Sequence, residues 1–219
     1  MSGRAQDRGM EKKANWYFDP ISPYVYLQLP DLDRLPAGWV VRPVPVLLGA
    51  LLNHAGIKAP AEVPAKRLHT YRQCAWLAKS RNLPFRMPPR HPFNPLQPLR
   101  LLCAVGPTLE QARIASRFVF GEGRDPSTPE GLRDLASALG VRDPEAAIAE
   151  TPVKDRLRAN TDEAVKLGVW GVPTFVVGEE IFWGADSFPM LLNYLEDPAW
   201  FETPEMRRIE ALPVGAARK

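Results

Sequence analysis

The stretch ANWYFDPISPYVYL, residues 14–27, changes character halfway along, and the rest of the chain can be ordered around that change. Its first five residues are aromatic-rich and read as a strand. Asp19 and Pro20 end the run. Ser22 followed by Pro23 signals a helix start: an oxygen able to cap free N–H groups, then a ring with no N–H to satisfy. A helix is expected over roughly 23–34, with Tyr24, Leu27, Leu29 and Leu32 among its apolar positions and Pro36 to Gly38 ending it. From Trp39 to Val46 apolar and polar residues alternate, with Val41, Val44 and Val46 in phase, which gives a second strand. The first 48 residues read β–α–β.

From about residue 49 to 168 the pattern is helical. Helices are expected near 66–80, 96–105, 108–121, 129–139, 143–150 and 152–167, the fourth opened by the capping box Ser127-Thr128-Pro129-Glu130. Seven prolines between Pro84 and Pro107 rule out one continuous helix there, so that stretch reads as an ordered, winding connection. After Gly168 the period changes again. Residues 173–177 read as a strand, Gly178-Glu179 as a tight turn and 181–183 as the returning strand. Asp186 is expected to cap a last helix reaching about Glu196. The fold class is therefore α/β, in the order β–α–β, a large inserted all-helical domain, then β–β–α, with one sheet built from both ends of the chain. Residues 13–48 with 168–200 would form the sheet domain, 49–167 the insertion, and 1–12 and 201–219 flexible tails.

With 45% hydrophobic and 24% charged residues the chain has the make-up of an ordinary globular protein. Net charge is +3 with the basic residues dispersed, which favours a small anionic ligand as much as nucleic acid, and no nucleic-acid partner is expected. No run of about 18 apolar residues occurs, and the polar N-terminus lacks a signal's apolar core, so no membrane partner is expected. Cys74 and Cys103 are the only cysteines and form no CxxC. A reducing, cytoplasmic location is the default expectation.

Three local features carry chemistry. Ser22 sits where a hydroxyl and the N–H groups of a first helical turn could hold an anion such as a thiolate; alone, it reads as a plain cap. Val172-Pro173 opens a strand where a cis peptide can occur, leaving the Val172 N–H and C=O for an extended peptide ligand; alone, it reads as an ordinary trans proline. Asp186 and Ser187 open the last helix, where a carboxylate and N–H groups suit an amino-acid head group; alone, they read as a cap.

Taken in this order, the features resemble the thioredoxin superfamily, and the branch of it with a helical insertion. Residues 17–27 resemble the N-terminal signature of 2-hydroxychromene-2-carboxylate isomerases and kappa-class glutathione transferases. So do 45–49 (PVLLG), Lys66 with Tyr71, Leu83 to Phe85 with Pro92 and Asn94, 167–175 (LGVWGVPTF) and Trp183 to Asp186. The resemblance implies a thioredoxin-like, DsbA-like fold and glutathione as cofactor. It implies Ser22 as the catalytic residue holding the glutathione sulfur, where redox relatives carry the first cysteine of CxxC; Val25 stands at the second. It implies glutathione contacts from Lys66, Val172, Pro173, Asp186 and Ser187, substrate contacts from Asn53, Asn94 and Tyr24, and a homodimer. The activity implied is isomerisation of a small aromatic carboxylate of the 2-hydroxychromene-2-carboxylate type, met in aromatic compound degradation. A kappa-like transferase and a non-redox DsbA-like binding protein are the alternatives. The chain departs from relatives at Asn53, where they often have Lys, at Ile57 (Asn) and at Ser187 (Arg).

His54, His69 and His91 fit no metal spacing. Cys74 and Cys103 read as buried helix residues. The Arg86, Arg90 and Arg100 group reads as solvated surface or as an entrance for an acidic substrate. Trp16, Trp39, Trp76 and Trp183 read as core, with Trp76 or Trp183 alternatively walling an aromatic pocket.

Overall fold

The computed structural model describes residues 12–216. Strand β1, Lys12–Phe18, pairs in parallel with β2, Trp39–Pro45. On its other edge it pairs antiparallel with β3, Thr174–Val177, which turns through Gly178 and Glu179 into β4, Glu180–Trp183. The order β2-β1-β3-β4 is one mixed sheet made from both ends of the chain. The two-residue repeat puts Trp16, Phe175 and Phe182 on one face, where Phe188 of α9, Phe188–Glu196, lies 5.9 Å from Phe175 ring to ring.

Helix α1, Pro23–Gln28, is shorter than the expected helix over 23–34. Leu29–Arg34 is a tighter 3₁₀ turn instead. Pro30 is the cause: it has no N–H for the Tyr26 carbonyl four residues back and its ring crowds that oxygen, so Leu29 N–H takes it in an i→i−3 step.

The insertion is helical as read. It comprises α2 (Leu48–Ala55), α3 (Pro64–Ser80), α4 (Leu96–Val105), α5 (Leu109–Ser116), a wider π turn over Arg117–Gly121, α6 (Pro129–Ala138), α7 (Pro144–Ala149) and α8 (Thr151–Lys166). One apolar cluster runs from Trp16 and Phe18 in the sheet through Leu101, Val119 and Leu135 of the insertion, so sheet and insertion share a core.

Residues 1–11 and 217–219 of the expected tails lie outside the described residues. The segment from 201 is corrected in part: Pro198–Glu202 forms a 3₁₀ turn and α10 follows at Pro204–Glu210. Its start signals are Asp197 accepting from Ala199 N–H and Thr203-Pro204 at the helix entry, and Phe201 packs on Tyr194 and Phe182 at 5.0 and 5.9 Å.

Candidate active site

Ser22 occupies the cap position of α1 with an extended backbone, φ −88° and ψ 121°, but its hydroxyl caps nothing. It donates instead to the Val172 carbonyl at 3.4 Å, across 150 residues of sequence. The Val172–Pro173 peptide is cis and immediately precedes β3. Pro23 has no N–H, and the Val25 N–H is taken up by the Ser22 carbonyl at 3.1 Å. The expected array of free first-turn N–H groups is therefore reduced. No partner among the described residues takes the Val172 N–H.

The Ser22 turn is held from two sides. Asp19, fully buried, accepts from Ile21 N–H at 3.0 Å and from Leu48 N–H at 3.1 Å, tying the turn to the start of α2. Burial pushes its carboxyl up to about 7, against the pull of those two N–H bonds. His91 Nε2 lies 2.8 Å from the Ile21 carbonyl, and Tyr71 Oη lies 2.7 Å from His91 Nδ1.

A buried amide joins the corner to Asp186. Trp16 Nε1 donates to Gln28 Oε1 at 2.7 Å, Gln28 Nε2 donates to the Gly184 carbonyl at 3.3 Å, and Gly184 N–H donates to the Pro173 carbonyl at 2.8 Å. Gly184 has φ 92°, and a Cβ there would lie 2.5 Å from Asp186 Oδ1, so only glycine makes this turn. Asp186 does not cap α9. It sits in a 3₁₀ turn, Ala185–Ser187, exposed and without an ion pair among the described residues, while the Ser187 hydroxyl donates to the Gly184 carbonyl at 2.9 Å. The Gly184 turn puts the carboxylate one residue too early to reach the first α9 N–H groups as a cap.

Tyr24 donates to Gln73 Oε1 at 3.0 Å; burial first, then neighbouring Cys74 and Asp186, pushes its hydroxyl up to about 12. Lys66 is exposed on the first turn of α3, and Asn53 is exposed near the end of α2; neither has a side-chain partner among the described residues. Asn94 accepts from Leu96 N–H at 3.0 Å and so serves the start of α4. The structure therefore sets Ser22 against Val172 and Pro173, links the Asp186 turn to them through Gly184, turns Tyr24 to Gln73, and shows no contact drawing Lys66, Asn53 or Asn94 to the corner.

The expectation of four core tryptophans holds for Trp16, at 0% exposure, and fails for Trp76 and Trp183, which are 65% and 51% exposed. Trp183 faces Trp170, ring centroids 5.8 Å apart, on the rim beside Val172. Its Nε1 would lie 2.6 Å from a Cβ on Gly171, which makes that glycine a matter of close approach. Arg90 of the expected surface group forms a two-pronged pair with Asp125, at 3.0 and 2.9 Å.

The family model for a DSBA-like thioredoxin domain matches residues 14–196. The chain belongs to that family. Among curated relatives, 2-hydroxychromene-2-carboxylate isomerase of Sphingobium xenophagum is 29% identical over 198 residues, covering 86% of this chain and 100% of the relative. Glutathione S-transferase kappa 1 of Caenorhabditis elegans is 24% identical over 209 residues, covering 85% and 92%. The solved structure of a 2-hydroxychromene-2-carboxylate isomerase superposes with a TM-score of 0.71 at 22% identity, over 87% of this chain and 97% of that one.

In this DSBA-like domain Ser22 and Val25 leave the head of α1 without sulfur. Burial pushes the thiols of Cys74 and Cys103 up to about 11 and about 12, so neither is a ready thiolate. Disulfide exchange needs an attacking and a resolving sulfur, and this corner has neither. The sequence reading missed Asp19, Gln28 and His91. Asp19 was legible as a lone acid ending an apolar strand; the other two are marked only by their partners.

Proposed function

We propose that this DSBA-like domain binds glutathione at the Ser22–Val172 corner and isomerises substrates of the 2-hydroxychromene-2-carboxylate type. The observation that carries the reading is the Ser22 hydroxyl resting on the Val172 carbonyl at 3.4 Å. That bond is long and weak, so its proton turns elsewhere with little loss. Two further groups fit the ligand: the Val172 N–H for a peptide backbone, and the Asp186 carboxylate for the γ-glutamyl ammonium. Lys66 supplies a cation for a carboxylate of cofactor or substrate, and Asn53, Asn94 and Ser187 are assigned to the same pocket.

When bound, glutathione would be held by Ser22, Val172 and Asp186 and would supply a thiolate nucleophile. Ser22 turns its O–H from Val172 to the sulfur and favours the thiolate, because a hydrogen bond to the charged form lowers a thiol's pKa. The Val172 carbonyl and N–H are then both available to the tripeptide. Trp170 and Trp183 offer aromatic faces beside the corner for a flat substrate.

A kappa-type transferase is the second reading, favoured by the kappa relative, which spans as much of the chain. Three measurements separate the readings. Millimolar glutathione should raise the melting temperature; no shift and no calorimetric binding would remove both enzymes and leave a non-redox binding protein. Loss of 2-hydroxychromene-2-carboxylate absorbance, with glutathione not consumed, marks the isomerase. Stoichiometric conjugation of a chloronitrobenzene without that turnover marks the transferase. The homodimer belongs to the same proposal, and sedimentation as a monomer at micromolar concentration would remove it.

A further inference from the structure

We propose that His91, backed by Tyr71, is a positioning residue that holds the Ser22 hydroxyl in its working orientation; the role in catalysis rests on the glutathione reading above. The peptide joining Ile21 to Ser22 is fastened at both ends. Its carbonyl accepts from His91 Nε2 at 2.8 Å, and its N–H donates to the Asp19 carbonyl at 3.0 Å. Rotating that peptide would swing the Ser22 side chain away from Val172. The Asp19 fastening is local, three residues back in the chain. The His91 fastening comes from the insertion, 70 residues away, and locks the head of α1 against the Pro-rich connection.

The bonding fixes which ring nitrogen carries the proton. The Ile21 carbonyl can only accept, so Nε2 is protonated in every state. In the neutral ring Nδ1 accepts from the Tyr71 hydroxyl at 2.7 Å. In the charged ring Nδ1 donates to the Tyr71 oxygen, and the tyrosine proton turns to the His91 carbonyl at 3.0 Å. The bond to Ile21 survives both states. The ring is wedged edge-on between Phe93 and Phe120, at 6.3 and 5.8 Å. Burial first, with Arg67 nearby, lowers its pKa, against the pull of the Ile21 bond. The arrangement holds the Ser22 turn by geometry and not by charge.

The test compares His91→Leu, His91→Gln and Tyr71→Phe by two readouts. Hydrogen exchange at the Ser22 amide in the ligand-free protein reads the hold itself. Thiolate absorbance at 240 nm against pH, with glutathione bound, reads its chemical effect. His91→Leu should speed Ser22 exchange about tenfold and raise the midpoint of thiol titration by about one pH unit. His91→Gln should restore both towards wild type, because its Nε2 presents a donor to the Ile21 carbonyl. Tyr71→Phe should fall between.

A folded His91→Leu with wild-type exchange and titration would overturn the proposal, as would His91→Gln behaving like His91→Leu. If His91→Leu does not fold, His91→Gln and Tyr71→Phe decide alone: wild-type values in the first with a partial shift in the second support the hold, and any other pair overturns it. A wild-type protein with no bound thiolate removes the glutathione reading, while Ser22 exchange still judges His91.

Discussion

Asp19 is a fully buried acid with no cation paired to it among the described residues, and its contribution to stability runs opposite to that of a surface carboxylate. Its folded pKa is raised, so the folded state holds the proton more tightly than the unfolded chain. That contribution is whole below about pH 4 and is lost as pH rises through about 7. A carboxyl raised from the ordinary range to about 7 accounts for about 4 kcal/mol. Asp19→Asn removes the titration, so the wild-type advantage over it, measured by urea unfolding from pH 4 to 8, should shrink steadily. An advantage constant across that range would mean the carboxyl is not raised. Ser22→Ala should lower turnover about a hundredfold, as loss of one donor to a reacting anion does. Its melting temperature should barely move, because the bond lost is 3.4 Å long. Wild-type turnover in this variant would end the thiolate role. Ser22, Val172 and Asp186 were legible because each stands at a boundary that local rules announce. Gln28 and His91 were not, since their meaning lies in partners 156 and 70 residues distant.

Helix starts were legible because capping and proline chemistry is local. The end of α1 was not, because Tyr26, Leu29 and Pro30 had to be weighed together against an unbroken apolar pattern. Helix α6 offers a sharper case. Replacing a helical glycine by alanine ordinarily stabilises by up to about 1 kcal/mol. At Gly131 the sign should reverse, because a Cβ would lie 1.9 Å from the Asp125 carbonyl oxygen, a backbone atom. The Asp125 turn cannot yield freely: its carboxylate also holds Arg90 and the Ser127 N–H, at 2.9 Å each. Gly131→Ala should therefore cost about 1–3 kcal/mol, the usual range for overpacking, measured by denaturant unfolding. A stabilised variant would mean that the turn is soft.

Across the whole molecule, the reading of one sheet built from both ends with helices between holds, because alternation and helical periods each mark their own segments. The core shared between sheet and insertion was not legible, since no local pattern says which helices pack against the sheet. The continuous cluster joining Trp16 to Leu135 predicts a single unfolding event. Far-ultraviolet and near-ultraviolet circular dichroism should lose signal at the same urea concentration, and two separated midpoints would show an insertion that unfolds alone.

The same architecture sets a timetable for biosynthesis. β1 leaves the ribosome with β2 soon behind on one edge, but its other edge waits for β3. Ser22 likewise waits for Val172, 150 residues later. At roughly 5–20 residues per second that gap lasts on the order of ten seconds. Through it the nascent chain carries β1 half-paired, an adhesive edge on every polysome, and the Ser22–Val172 corner comes into being only as β3 emerges.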